Sequence, residues 1–256
     1  QTMKNLFLIA ALALMPWVTN AQNSNSKFTI TPRIGMTVSD FSGSKLKEAY
    51  SPKAGFVVGV DAEYNFSKLF GVSLGVFYNM QGAKKNAAVL MLFNESTNNF
   101  EITPVNPSTT GTTIAIGKNA HIDFDRNAGS YIYLTDFRTD LNYISIPVLA
   151  QAHVWKGLTA KLGIQTDVLV SARSKADEEE KYNGVTHFEK YNTDIKDKLH
   201  SCVFSIPVGL SYTYKNIELD ARYLWGISKV ADTKDENDKD LKNSTFAITL
   251  GYRFGL

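Results

Sequence analysis

Catalytic or metal chemistry in this chain has few residues to draw on. Its four histidines stand at 121, 153, 187 and 200, and its single cysteine is Cys202. One cysteine excludes an intramolecular disulfide framework and any zinc site built on several thiolates. His187 and Glu189 lie two residues apart in a segment read as a loop, but no second histidine follows at ligand spacing, and zinc needs three or four converging ligands. The stretch Asp232 to Asp240, DTKDENDKD, resembles half a calcium loop without the central glycine and distal glutamate of an EF-hand. Asp177-Glu178-Glu179-Glu180-Lys181 reads as a solvated loop. Both acidic stretches offer carboxylates that could hold divalent cations beside anionic lipopolysaccharide. Nucleophile-elbow, HExxH, Walker and Rossmann patterns are missing from the sequence. A hydrolase or acyltransferase would need a Ser or Asp within reach of His121, His187 or His200, all in or beside long loops. No catalytic residue, metal ligand or cofactor is assigned on these grounds.

A second group of chemistry-bearing residues follows a pattern: Arg33, Asp61, Glu63, Lys161, Asp167, Glu218, Asp220, Arg222 and Arg253. Each lies in a segment whose apolar residues repeat every second position, and each stands on the more polar of the two resulting stripes. In the second such segment Phe56, Val58, Val60, Ala62, Tyr64 and Phe66 alternate with Gly55, Val57, Gly59, Asp61, Glu63 and Asn65. In the third, Phe70, Val72, Leu74, Val76 and Tyr78 alternate with Gly71, Ser73, Gly75, Phe77 and Asn79. The same reading gives eight strands, at about 28–41, 53–66, 69–82, 140–155, 158–173, 202–214, 217–230 and 245–254. Each has ten or more residues, against a usual globular length of about five or six. A tilted strand crosses a bilayer in roughly 9–11.

Connections alternate strictly between two kinds. Ser67-Lys68, Lys156-Gly157 and Lys215-Asn216 are two-residue turns, whereas 42–52, 83–139, 174–201 and 231–244 are long and polar. In an up-and-down sheet this puts all the bulk at one end, the layout of outer-membrane barrels with short periplasmic turns and long outside loops. The expected fold is therefore all-β, an eight-stranded antiparallel up-and-down transmembrane β-barrel with long extracellular loops.

Two details favour lipid on the apolar side. Every glycine inside a strand falls on the polar stripe, namely 35, 55, 59, 71, 75, 163, 209, 226 and 251. A narrow eight-stranded lumen has room for little more. Aromatic residues of the apolar stripe gather near strand ends. Phe28, Tyr64, Phe66, Phe70, Tyr212, Tyr214, Tyr252 and Phe254 stand toward the short turns, and Phe56, Tyr78, Phe204, Tyr223, Trp225 and Phe246 toward the long loops. Two girdles around an aliphatic band suit the two membrane interfaces. The inner charges, four positive and five negative, then read as a salt-bridged plug, with Gln151 and His153 on the same stripe.

Composition agrees. The chain has 256 residues, is 44% hydrophobic and carries a net charge of +2, too apolar for disorder and too balanced for nucleic acid. Mean hydropathy of −0.16 excludes a bundle of transmembrane helices. Met3-Lys4-Asn5, the apolar run Leu6 to Val18 and the exit Thr19-Asn20-Ala21 make a secretory signal peptide. The expected organisation is a cleaved signal at 1–21 and a barrel domain at 22–256 with an extracellular insert at about 83–139, located in the outer membrane.

The strands carry RIGMTVSDFSG (33–43), SPKAGFVVGV (51–60), YNMQGAKK (78–85), LNYISIPVLA (141–150), LDARYLWGIS (219–228) and NSTFAITLGYRF (243–254). In these pieces the sequence resembles the PorT-like outer-membrane β-barrel proteins of Bacteroidetes-type bacteria, from about residue 28 to 256 outside the two large loops. The resemblance implies insertion by the barrel-assembly machinery, which reads an aromatic-ended last strand, here Phe246, Ile248, Leu250, Tyr252 and Phe254. The family's best-known member assists a protein secretion system. The function expected here is non-enzymatic: a sealed lumen with a structural or surface-interaction role through the loops. Its partners would be outer-membrane lipid, lipopolysaccharide and a surface protein or glycan bound at 83–139. A narrow porin-like channel, a secretion accessory and a lipid-modifying enzyme or protease are the alternatives. Within 83–139, Phe100, Ile102, Ile114, Ile116, Ile122, Phe124, Tyr131 and Tyr133 repeat the period of two, with turns at Asn106-Pro107 and Asn127-Ala128-Gly129. They predict short hairpins that raise the wall above the membrane.

Overall fold

The strict two-residue alternation becomes strands with one buried and one exposed face. The computed structural model describes residues 27–43, 49–94, 99–100, 112–116, 130–182, 184–231 and 240–256. The signal segment 1–21, His121, Ile102, Ile122, Phe124, both proposed turns of the insert and nearly all of the 232–240 acidic stretch lie outside these residues. The strands are β1 (Phe28–Ser42), β2 (Tyr50–Asn65), β3 (Phe70–Lys85), β4 (Ala87–Asn94), β5 (Asn99–Phe100), β6 (Thr112–Ile116), β7 (Tyr131–Trp155), β8 (Leu158–Tyr182), β9 (Val185–Asp194), β10 (Cys202–Tyr214), β11 (Ile217–Gly226), β12 (Lys242–Tyr252) and β13 (Phe254–Gly255).

Eight of them close a ring in the order β1-β2-β3-β7-β8-β10-β11-β12 and back to β1, antiparallel throughout. Closure leaves this part of the sheet without a free edge. The β7–β8 and β10–β11 turns are the expected two-residue ones; they need positive φ, which Gly157 (79°) and Lys215 (55°) adopt. The β2–β3 turn is longer than the expected Ser67-Lys68 pair. Residues 66–69 lie outside both strands, because the Ser67 hydroxyl accepts the amides of Leu69 (3.2 Å) and Phe70 (2.8 Å) and holds a wider bend. Strand β11 ends at Gly226, short of the expected 230. There the Ser228 hydroxyl takes the ladder position, accepting the Phe204 amide at 2.7 Å.

The two stripes separate cleanly. Ile34 is 64% exposed and Met36 66%, while Arg33 between strands of the same sheet is 4% exposed. The outward face is a continuous apolar surface of Val, Ile, Leu and aromatic residues, and the inward face holds most of the buried polar groups.

The segment read as a loop at 174–201 is largely wall, and the 83–139 insert contains strands that extend the wall, as its alternating residues predict. Residues 174–182 continue β8 and 185–194 form β9, paired with it from Arg173↔Asp194 to Tyr182↔Val185. In the 83–139 insert, β4 continues β3 upward along β7 (Val89↔Leu134), and β6 pairs β4 (Val89↔Ile114). The result is a five-stranded sheet, β6-β4-β7-β8-β9, rising from one side of the ring. β7 and β8 run about ten residues past the Leu141↔Ala172 pair, roughly 30 Å at about 3.3 Å per residue.

Candidate functional site in the lumen and at its mouth

The inward side chains stack in layers. At the short-turn end His153 contacts Thr159 (2.9 Å) through Nδ1 and Asn65 Oδ1 (2.7 Å) through Nε2, and the Asn65 amide donates to Glu63 at 2.8 Å. A carboxylate neighbour fixes the Asn65 amide orientation, so Asn65 Oδ1 accepts from His153 Nε2–H. Arg253 joins Glu63 (2.7 Å) to Glu218 (3.0 Å).

Above this lies the main charge layer. Arg33 contacts Asp61 (2.5 Å) and Glu218 (2.9 Å); Lys161 contacts Glu218 (2.5 Å) and Asp220 (2.8 Å). Arg222 contacts Asp220 (2.6 Å) and Asp61 (3.2 Å), and its guanidinium stands 6.0 Å from the Phe77 ring centre. The structure thus brings eight of the nine sequence-predicted inner charges into one connected network drawn from four strands, β1, β2, β8 and β11, and the Arg253 link. Gln151 is buried beside it, but its Oε1 has no hydrogen-bond partner among the described residues.

The register explains the glycines. Gly251 pairs with Arg33 on one side and Glu218 on the other, so the two charges meet across a position without a side chain. A Cβ there would come within 2.9 Å of Arg33 Cγ. Gly209 pairs with both Lys161 and Arg222 in the same way.

Asp167, the ninth charge, stands apart. It accepts from the Ser145 hydroxyl, Gln165 (2.8 Å) and Ser205 (3.5 Å) in an uncharged polar layer with Asn79, Gln81, Asn243 and Thr245. Over that layer sits an apolar cluster of Leu141, Tyr143, Leu169, Ala172, Val203 and Val230, onto which Phe41, Ile195 and Leu199 pack. Parity marked this stripe as polar, and the apolar level was missed; Leu141, Tyr143 and Leu169 were visible on it as large residues of inward parity.

The outward aromatics occupy both ends of the wall. Phe28 pairs with Tyr64, and Phe66, Phe70, Tyr212, Tyr214 and Tyr252 are exposed near the short turns. Phe56, Phe204, Tyr223, Trp225 and Phe246 are exposed toward the other end, with Tyr223 directly opposite Phe246. Tyr78 and Phe254 are half-buried, because Tyr78 stacks on Phe56 (5.6 Å) and Phe254 on Tyr252 (4.7 Å). Trp155, 74% exposed beside the β7–β8 turn, belongs with the first group and was missed.

At the long-loop mouth of the ring, Asp140 bridges Lys53 (3.0 Å) and Lys175 (2.6 Å). Burial pushes its carboxyl up, but the two lysines outweigh burial and hold it below the usual carboxylate range. His187 and Glu189 lie on strand β9, not in a loop, opposite Glu180 and Glu178. Burial and the neighbouring Glu180 and Glu189 raise the Glu178 carboxyl. The acidic run is therefore part of strand β8, its side chains alternating between the two faces, with Tyr131 donating to Glu179 at 2.6 Å. His200 lies near the mouth, its amide bonded to Val230 at 2.9 Å. Among the described residues no three His, Cys, Asp or Glu side chains cluster as metal ligands.

The family model for the outer membrane protein β-barrel domain matches residues 20–232. The chain belongs to this family. Its members are outer-membrane proteins, and the closed ring with an apolar outer wall is the form in which a strand-built protein can span a bilayer. Among solved structures, the chain is similar to the attachment invasion locus protein Ail of Yersinia pestis, at 15% identity over 89% of this chain and 99% of that one, TM-score 0.40. It is also similar to Neisserial surface protein A, at 15% identity over 90% and 98%, TM-score 0.35. A third is the outer membrane protease OmpT of Escherichia coli, at 10% identity over 93% and 100%, TM-score 0.32. Comparison with curated proteins gave no match.

Proposed function

We propose that this outer-membrane barrel is a non-enzymatic surface protein whose lumen is closed and whose activity resides in the raised sheet. The observation that supports the reading is the stacking of two layers of inward side chains. A balanced ion-pair layer fills one level, and the apolar cluster around Leu141, Tyr143 and Leu169 crosses the level above. An ion would have to break several buried pairs and then desolvate through side chains, each costing several kcal/mol. The outward aromatics serve as the two membrane girdles, the short turns face the periplasm, and the β6-β4-β7-β8-β9 sheet stands outside the cell. Residues 1–21 are a cleaved signal peptide. The motif pieces support a place in the PorT-like branch, and an accessory role in secretion belongs to that branch.

A strand-built extension with exposed Phe188, Tyr191 and Ile114 supplies apolar contact area and favours binding of a protein or glycan. Two measurements test the reading. The refolded protein in planar bilayers should show no stable conductance; discrete channels would support the porin alternative. Deleting residues 98–130 should leave membrane insertion and heat-modifiable gel mobility intact while reducing capture of surface partners by whole cells. A deletion variant that keeps its partner places the binding elsewhere.

A further inference from the structure

Of the inward carboxylates, Asp61, Glu63, Glu218 and Asp220 are paired with Arg33, Lys161, Arg222 and Arg253, and Asp140 with Lys53 and Lys175. Asp167 is the remainder. It is 2% exposed and makes no ion pair among the described residues. A carboxylate buried without a counter-charge is so costly that something must neutralise it. Its three donors, Ser145, Gln165 and Ser205, all suit the ionised form.

Beside Asp167 is a cavity of about 10 Å³, room for one water-sized body, where pairing of β10 with β11 gives out. Its polar lining is Asp167, Gln81, Ser205, Ser228 and Asn243. Asn243 is 7% exposed, and its Oδ1 has no hydrogen-bond partner among the described residues. Its amide is turned the other way, toward the Tyr143 hydroxyl at 3.3 Å. An unsatisfied carbonyl oxygen and an unneutralised carboxylate thus border the same small space.

We propose that this cavity binds a single dehydrated monovalent cation of sodium size, with Asp167 as its anionic ligand and amide and hydroxyl oxygens completing the shell. All the polar groups bordering the space can offer oxygen, which selects a hard cation. The neighbouring four-against-four network is already neutral and sends no cation to Asp167, so one positive charge in the cavity neutralises this carboxylate locally. A divalent ion would leave a surplus charge inside the membrane. A lone water would satisfy Asn243 without neutralising Asp167. The bound ion ties β8, β10 and β12 together beneath the apolar cluster, and it stabilises the native barrel by mass action because the unfolded chain has no such site.

The test uses the full-length refolded barrel at constant ionic strength, exchanging sodium for N-methyl-D-glucammonium. The unfolding midpoint of the wild type should rise with each tenfold increase in sodium, and the sodium-23 resonance should broaden on adding protein. The near-isosteric Asp167→Asn should abolish both effects while still inserting. A wild type indifferent to sodium overturns the proposal. So does an infrared band of a protonated carboxyl at neutral pH, in sodium, that Asp167→Asn removes: a proton is then the occupant. If Asp167→Asn does not fold, the wild-type sodium titration and infrared spectrum decide alone. Absence of conductance bears on lumen closure and is independent of either result.

Discussion

Glu218 is the carboxylate whose loss the lumen should feel most. It is fully buried and meets three cations, Lys161 at 2.5 Å, Arg33 at 2.9 Å and Arg253 at 3.0 Å. Glu218→Gln keeps the shape and removes one charge, leaving four cations against three carboxylates in the network. A unit charge pair at about 4 Å is worth roughly 4 kcal/mol at an effective dielectric near 20. Three such attractions vanish and the cations repel one another, partly offset because one less charge is desolvated. Breaking a buried pair by removing one partner costs about 3–5 kcal/mol, and that range is expected here. The assay is urea unfolding in lipid vesicles, read as the fraction migrating in the compact form on an unheated gel. With a slope of about 1–3 kcal/mol per molar urea, the midpoint should fall by at least about 1 M. Glu218→Gln combined with Lys161→Met restores three against three and should recover at least half of the loss, a strongly non-additive result. Lys68→Met, in the exposed β2–β3 turn, should change stability by less than about 0.5 kcal/mol. A Glu218→Gln variant as stable as wild type, or a double variant that is simply additive, would refute the reasoning and mean a lumen filled with screening water.

Leu169→Ala, in the apolar cluster over the lumen, should cost about 2–5 kcal/mol by unfolding titration, since its neighbours cannot collapse into the gap. Gly251→Val would drive a side chain against Arg33 Cγ and the Pro32 carbonyl; an overpacking loss of about 1–3 kcal/mol and slower refolding are expected. Asp140 supplies a pH dependence. Its folded pKa is depressed by Lys175 and Lys53 against burial, so its contribution is complete above the unfolded value of about 3.9 and is lost as pH falls through the lower folded value. Asp140→Asn should therefore be less stable than wild type at pH 7, and the gap should narrow as pH drops below about 4.

Lipid made the barrel legible. A wall with hydrocarbon outside and a crowded polar lumen inside must alternate residue by residue, so Ile34 beside Arg33 reveals both the strand and its faces. That constraint ends where the membrane ends. β9, VTHFEKYNTD, has almost every residue exposed and solvent on both sides, so it carries no apolar stripe and reads as loop. β4, AAVLMLFN, fails for the opposite reason: its apolar residues run without alternation, with Leu90 and Ala88 packed against Tyr131 and Tyr133. Of the insert residues that alternate, Phe100 lies in β5, Ile114 and Ile116 in β6, and Tyr131 and Tyr133 in β7, while Ile102, Ile122 and Phe124 lie outside the described residues.

Parity assigns a charge to the lumen but not to a partner. Arg33 and Glu218 are 185 positions apart in sequence, and what joins them is the level at which two strands cross β12. That level is marked in the chain by Gly251, while Gly209 lies between Lys161 and Arg222, two cations that both reach Asp220. A long charged side chain in a ring this narrow has to lie across the wall, and the residue it crosses has to lack a Cβ. Glycines of inward parity are therefore more than small fillers. Gly251 is the place where β12 lets Arg33 of β1 touch Glu218 of β11. Asp167 has no such arrangement: its three donors are neutral, and no cation reaches it among the described residues. The residue left outside the glycine-spaced network is the one that borders a cavity.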